Sequence, residues 1–325
     1  MNRWIRSALM ALGCGLFTLS VPSVAQDFPN RPVRLIVPFG PGGVTDIVAR
    51  AFAQGLERRL GESVVVENRA GASGNIGTEL VAQSAPDGYT LLLAFDGTLT
   101  INPHVYARPG FDPVKDFAPI TKIGNSTQIL VARPSLPATS LSDLISRGKS
   151  LGALNYGSSG TASPGHVSGE MLRTASGLAL VHIPYKGGAA AVNDVISSQI
   201  DLAFTAVATA RPLIESGKLK GLAVTTGSRS VMLPEVQTFT EAGLKDFVVD
   251  TWLGIMAPAK TPPAITDKLS TESIKVLSDE GLRRRLTELG VEPVGSSAAA
   301  FGEQVRQDVA RWGRVVRDAQ IKLVP

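Results

Sequence analysis

Two adjacent glycines, Gly42 and Gly43, are followed at once by Thr45 and Asp46, where an apolar run from Val33 to Val37 gives way to a helical pattern from Ile47 to Leu60. Glycine lets the backbone turn tightly and lets a ligand approach main-chain amides. The helix start that follows adds unpaired N–H groups and the positive end of a dipole. The chemistry this arrangement supports is a strand–loop–helix cradle for a small anion, a carboxylate above all. The ordinary alternative is an αβ turn capped by Thr45 or Asp46.

Four further loops share that character. Asp96-Gly97-Thr98 follows the apolar run Leu91–Phe95. Gly157-Ser158-Ser159-Gly160-Thr161-Ala162-Ser163-Pro164 precedes a helix carrying His166. Pro184-Tyr185-Lys186-Gly187-Gly188 and the segment Thr205 to Thr209 again lead from strand to helix. Each sits at the carboxyl end of a strand, where open α/β sheets bind ligands. A carboxylate held by backbone amides and hydroxyls makes charge-assisted bonds worth roughly 1.5–3 kcal/mol each, with no arginine required. Ser158, Ser159 and Thr161 are the principal candidates, with Thr205 in the fifth loop. Tyr185 offers an aromatic wall and a hydroxyl, set against a half-buried core role. His166, on the first turn of its helix, is placed to touch a ligand. Asp96 would repel an anion, so it caps a turn, accepts from backbone N–H groups, or meets an amino or hydroxyl group of the ligand. Lys186 reads as a solvated charge and His182, in an apolar strand, as a core residue.

Known catalytic and cofactor signatures are missing. His104, His166 and His182 have no metal-ligand spacing. Gly157–Thr161 is not a nucleophile elbow, because neither serine has glycines two residues before and after it. Gly148-Lys149-Ser150 lacks the first glycine of a phosphate loop, and Gly71–Gly77 lacks the spacing of a dinucleotide fingerprint. No cofactor or metal is expected. A serine hydrolase using Ser158 or Ser159 with a histidine remains the enzymatic alternative.

The elements that must position these loops alternate. Strands are expected at Val33–Val37, Val64–Glu67, Thr90–Ala94, Ile129–Ala132, Asn155–Gly157, Val181–Pro184, Leu202–Phe204, Leu222–Thr225 and Gly254–Ala257. Helices are expected at Thr45–Leu60, Gly74–Ser84, Ser140–Gly148, Gly165–Ser176, Gly188–Ser198, Thr209–Ser216, Ala264–Leu277, Glu280–Leu289 and Ala299–Gln320. This pattern predicts an α/β protein with mostly parallel sheets covered by helices. Ser140 with Asp143 three residues on resembles a capping box, with Gly148 as the stop. In the last helix Phe301, Val305, Val309, Trp312 and Val316 form one apolar face, read as core packing. The stretch Pro103–Pro119 reads as a break, with Asp112–Asp116 a surface loop.

Arg3 and Arg6, the apolar stretch Ala8–Val21 and Ser23-Val24-Ala25 together read as an export signal over residues 1–25, cut before Gln26. A lipoprotein signal at Cys14 and a retained anchor are the alternatives. Cys14 is the only cysteine, so a cut at Ala25 leaves none, which suits a periplasmic domain large enough to need no disulfides. Removing Arg3 and Arg6 leaves 30 basic against 28 acidic residues, a net charge of +2. With no basic stripe, nucleic acid is not an expected partner. Some 300 remaining residues imply two domains.

The chain resembles the periplasmic solute receptors of tripartite tricarboxylate transporters over almost its whole mature length. The resemblance is carried by Val37-Pro38-Phe39 with Pro41-Gly42-Gly43 and Asp46, by Val66-Glu67-Asn68-Arg69 with Gly71 and Gly74-Asn75-Ile76-Gly77, and by Pro86-Asp87-Gly88-Tyr89-Thr90-Leu91. Ile101-Asn102-Pro103, Pro184-Tyr185-Lys186-Gly187-Gly188, Gly217-Lys218-Leu219, and Trp252 with Gly254 and Ala257-Pro258 continue it. It implies a two-domain periplasmic-binding-protein fold, type II-like, closing its cleft on a small organic acid. Di- and tricarboxylates, aromatic acids and acidic amino acids are the candidate ligands. It also implies a monomer that delivers to integral membrane permease subunits; a receptor serving a membrane kinase is the alternative. By analogy one domain joins residues 27–125 with 250–325 and the other spans 126–249. Carried to matching positions, the ligand-facing residues are Phe39, Gly42, Gly43, Thr45, Asp96, Gly97, Thr98, Ser158, Ser159 and Thr161. The chain departs from the commoner family pattern after Phe204, where Thr205-Ala206 replaces an acidic or amide residue, and this leaves the ligand's identity open.

Overall fold

The computed structural model describes residues 28–318 apart from 186 and 246. The export signal, Cys14 and Lys186 fall outside the described residues. The chain runs β1 (Val33–Val37), α1 (Val44–Leu60), β2 (Val64–Asn68), α2 (Asn75–Ala82), β3 (Thr90–Phe95), α3 (Asn102–Val105), β4 (Phe117–Ser126) and β5 (Gln128–Ala132). It continues through α4 (Leu141–Leu151), β6 (Leu154–Ser158), α5 (Pro164–Ser176), β7 (Leu180–Pro184), α6 (Gly188–Ile196), β8 (Leu202–Ala206), α7 (Val207–Glu215) and β9 (Lys220–Val224). The remaining elements are β10 (Thr251–Pro258), α8 (Pro263–Leu277), α9 (Glu280–Glu288), β11 (Val291–Pro293) and α10 (Ala298–Asp318). A π-helical turn, Gly97–Ile101, leads into α3.

The strands form two sheets, ordered β11-β4-β10-β3-β1-β2 and β7-β6-β8-β5-β9. In the first, β1 pairs in parallel with β2 and β3, while β10 is antiparallel to β3 and β4, and β11 to β4. In the second, β6 is parallel to β7 and β8, while β5 is antiparallel to β8 and β9. The sheets are therefore mixed rather than mostly parallel. Most successive strands joined by a covering helix run parallel, as the alternating pattern predicted, but β5 and β6, joined by α4, run antiparallel. The strands β4, β5 and β10 pass from one sheet to the other instead, so no right-handed helical crossover fixes their direction.

That passage sets the geometry of the whole molecule. β4 ends at Ser126 and β5 begins at Gln128, while the return strand β10 begins at Thr251, directly opposite Ser126. The Thr251 hydroxyl donates to the Ser126 carbonyl, tying the two crossings together. The carboxyl ends of β1, β2, β3 and β4 share one edge of the first sheet. Those of β6, β7 and β8 share one edge of the second. The paired crossings hold these two edges against each other.

Apolar burial fixes each sheet. Leu35, Ile36 and Val37 of β1 are wholly buried, as the central strand of a two-sided sheet requires. Val48, Ala49, Phe52 and Leu56 give α1 its inward stripe, and each large side chain so buried stabilises by about 1.5–3 kcal/mol. The apolar face of α10 is core as expected, but it serves two cores. Phe301 and Val305 join Trp252 and Met256 of the first sheet, and Trp312 and Val316 join Leu130 and Phe204 of the second.

Ser140 caps α4 by accepting from Asp143 N at 3.2 Å, but the helix passes through Gly148 to Leu151. The apolar pattern does not reveal β4, because Pro119 and the polar residues Lys122 and Asn125 interrupt it. Pro119 lies against Gly302 and Lys122 bonds Gln304, both on α10, in place of a hydrocarbon core. A second consequence concerns Gly254. A Cβ there would come within 2.3 Å of the buried Phe301 ring and 3.0 Å of Thr121 O. Gly254→Val is expected to destabilise the fold by about 1–3 kcal/mol in urea unfolding, since neither neighbour can retreat.

Candidate functional site

The five loops lie in a connected series along the facing edges. In the first, Gly43 is the N-cap of α1 and makes no side-chain cap bond, so neither Thr45 nor Asp46 caps the helix. Asp46 instead reaches back to accept from Gly42 N at 3.0 Å, with Gly42 at φ +84°, where glycine is favoured. Asn68 at the end of β2 donates to Asp46 Oδ1 and to Phe39 O, both at 3.0 Å, and Arg50 bonds the same carboxylate. Gly40, Gly42 and Gly43 stay exposed, and a Cβ on any of them would meet nothing within 4 Å. The loop is thus fastened from behind while its amides at the start of α1 face open space. Thr45 is half-buried beside them.

Phe39 packs edge-on against Phe95 at 5.4 Å. Phe39 also lies beside a segment that the residue-by-residue reading does not single out, its ring 3.2 Å from where a Cβ of Gly74 would sit. Gly71, Ala72, Ser73 and Gly74 all have positive φ and lead from β2 into α2. Thr98 Oγ1 and Asn102 Nδ2 donate to Ser73 O at 2.9 and 3.1 Å, and Tyr106 donates to Ser73 Oγ at 2.9 Å. The available signal was the same as for the other loops: glycine and serine at a strand's carboxyl end. Thr98 is almost wholly buried by these contacts. Gly97 meets the other sheet's unit directly, for a Cβ on it would lie 3.1 Å from Pro164 at the start of α5.

Across that contact, the third loop is built around Ser158, which has no exposed surface. Its Oγ lies 2.7 Å from His182 Nε2, 3.0 Å from Gly160 O, and accepts from Gly160 N and Ser163 Oγ. A serine–histidine contact of this kind is the geometry of an activated nucleophile. Here the hydroxyl is enclosed and fully engaged, and it works as a strut for the loop. Ser159 and Thr161 are exposed at the loop's crest. Ala162, at φ +63°, donates to His166 Nδ1 at 3.1 Å, and His166 stacks on His182 at 4.0 Å. His182 is therefore no simple core residue: the two rings fix the loop. Burial, with the neighbouring His166, lowers the His182 pKa to about 4. Burial also lowers that of His166.

Tyr185 N donates to Ser158 O, its ring lies against Gly157, and its hydroxyl donates to Asp194 at 2.6 Å. Burial and this bond raise its pKa to about 12. Thr205 is nearly buried, with Oγ1 2.9 Å from where a Cβ of Gly188 would sit, so the fourth and fifth loops also meet. Asp96 lies below this surface with no exposure, its Oδ1 2.5 Å from Thr100 Oγ1. Burial and the Asp308 charge push its pKa up to about 8, against the Thr100 bond and the charges of Arg311 and Lys122. The structure thus brings all five loops together, with the side chains of Asp96 and Ser158 inside rather than on the exposed face.

α10 covers the crossing strands with polar groups. Gln304 accepts from Lys122 Nζ at 2.9 Å, and Asp308 accepts from Trp252 Nε1 at 2.9 Å. Burial lowers the pKa of Lys122 and raises those of Asp250 and Asp308. Among the described residues no helix is long and apolar enough to cross a membrane, and no group of three or more His, Cys, Asp or Glu side chains is placed to hold a metal.

Two helix-flanked mixed sheets joined by adjacent crossings, with glycine- and hydroxyl-rich loops between them, define the two-domain fold of periplasmic binding proteins. The chain belongs to the tripartite tricarboxylate transporter family receptors, whose family model matches residues 48–321. It is similar to the periplasmic binding protein BugD, at 37% identity and TM-score 0.81, covering 91% of this chain and 100% of that one. It is similar to Rpa4515 of R. palustris, solved with adipate, at 36% identity and TM-score 0.84, covering 92% and 100%. MatC of Rhodopseudomonas palustris, solved with bound malate, matches at 31% identity and TM-score 0.79, covering 89% and 100%.

Two predictions follow from the charges at these loops. Burial alone would raise the Asp46 pKa, but bonds from Arg50, Gly42 N and Asn68 outweigh it and hold the carboxylate below its usual range. Its stabilisation is present above the unfolded pKa and lost as pH falls through the folded one. Asp46→Asn should cost about 1–3 kcal/mol at pH 7, and the difference from the parent should shrink in acid when both are unfolded by urea. His182 has a depressed pKa, so the unfolded chain binds its proton first. Stability should fall as pH drops from about 6.5 towards 4, and His182→Asn should flatten that part of the profile.

Proposed function

We propose that this chain is a periplasmic solute receptor that captures a small carboxylate between its two lobes and presents it to integral membrane permease subunits. The observation that carries the reading is the contact of Gly97 with Pro164, which brings the anion-suited loops of one sheet onto a helix start of the other. Amides at the starts of α1 and α5, with the Thr45, Ser159 and Thr161 hydroxyls, are neutral donors suited to a carboxylate. Gly42 and Gly43 complete the polar surface, buried Gly97, Thr98 and Thr205 support it from just beneath, and Phe39, Tyr185 and His166 give it walls. Asp96 and Ser158 act behind it. We read residues 27–125 with 250–325 as one lobe and 126–249 as the other, because the chain changes sheets at Thr127 and again just before Thr251. Adipate and malate, found in the two similar receptors, support an aliphatic di-acid among the ligand classes.

The test is thermal stabilisation across a panel of di- and tricarboxylates, aromatic acids and acidic amino acids. Ligand at a hundredfold above Kd should stabilise by about 2.7 kcal/mol. Ser159→Ala combined with Thr161→Ala should weaken binding at least about tenfold, since two charge-assisted bonds are lost. Unchanged affinity in the double variant would remove these residues from the site.

A further inference from the structure

Asp96 has no solvent-exposed surface and sits one residue before Gly97, at the loop that meets Pro164. Its main-chain O and its Oδ1 lie 2.9 and 2.5 Å from the same hydroxyl, Thr100 Oγ1. A threonine hydroxyl has one proton to donate. With Asp96 ionised, one of these two close oxygen pairs would have no hydrogen between its atoms. With Asp96 protonated on Oδ1, that O–H donates to Thr100 Oγ1, Thr100 donates to Asp96 O, and both contacts are filled.

The surroundings point the same way. Asp96 Oδ2 is buried and has no hydrogen-bond partner in the protein, which a neutral acid tolerates better than a carboxylate. No cation lies within ion-pair distance of Asp96 among the described residues. Lys122 of β4 faces it but spends its ammonium on Gln304. α10 presents Arg311 and Asp308, whose charges oppose each other, and Asp250 bears on the same Lys122 and Arg311. On its own element only the Thr100 hydroxyl meets the carboxyl.

We propose that Asp96 is a positioning residue held as a neutral carboxylic acid, and that its proton permits a carboxylate ligand to sit at the seam beside the Gly97–Pro164 contact. Ionised, Asp96 would place an unpaired negative charge behind the amides meant for the ligand. By reciprocity, a bound carboxylate holds the proton on Asp96 more tightly, so binding in mildly alkaline solution takes up a proton. The coupling rests on the carboxylate reading above; the protonation itself does not.

Infrared difference spectra of the whole protein between pH 6 and pH 10 test the protonation without any ligand. A protonated-carboxyl band is expected at pH 7, lost as the pH passes about 8 and absent from Asp96→Asn. No such band at pH 7, or the same band in Asp96→Asn, overturns the proposal. Asp96→Asn keeps an N–H for Thr100, and the wild-type titration needs no variant at all. Calorimetric titration with adipate and with malate tests the coupling. Affinity should fall by about tenfold or more between pH 7 and pH 9.5 in the wild type, with proton uptake, and the ratio should collapse towards one in Asp96→Asn. Equal weakening in both proteins overturns the coupling. If the band is present and neither acid binds at either pH, the adipate- and malate-like reading of the site falls and the proton on Asp96 stands.

Discussion

The chain changes sheets twice at one place, and the two crossings are hydrogen-bonded side by side through Ser126 and Thr251. Everything else in the arrangement depends on this. Because β4 runs parallel to β3 and continues into β5, the strand ends of the first sheet must face those of the second. Five loops that are separated along the sequence by as much as half the chain are therefore gathered at one seam.

The seam relies on main-chain donors. Aspartate, asparagine and serine side chains are spent on fastening the loops from behind: Asp46 on Gly42, Asn68 on Phe39 O, Ser158 on Gly160. This leaves amides and exposed hydroxyls forward. Such donors cost no ion pair to separate, which suits a protein that must bind and also let go. The stacked His166 and His182 belong to the same scheme, since neutral rings fix the loop without adding charge to the surface a ligand would meet.

Behind the seam the logic reverses. Lys122, Asp250, Asp308, Arg311 and Asp96 lie close together under α10, with Asn125 Oδ1, Arg311 Nη2 and Asp96 Oδ2 lacking protein partners. Buried polar groups of this kind stabilise poorly and specify arrangement well. Their position puts the last helix over the crossing strands, where it packs into both cores. Phe301 and Val305 anchor it to one core, and Trp312 and Val316 to the other.

Most elements and all five loops are legible in the order of residues alone. Apolar runs, helical spacing and glycine-rich junctions are local signals, and the order of landmark residues carried the family resemblance. It also placed Gly42, Gly43, Ser159 and Thr161 in exposed loops at strand ends. It did not show β4, whose proline and polar residues answer to α10 rather than to neighbours in the chain, nor the mixed sheet directions, which the crossings impose. Packing between elements is what turns Ser158 and Asp96 inward, pairs His182 with Ser158, and leans the Gly71–Gly74 turn on Thr98. Each of these involves a partner on another turn or element, such as His182 for Ser158 and Thr98 for Ser73, and a period of two or 3.6 carries no information about that partner.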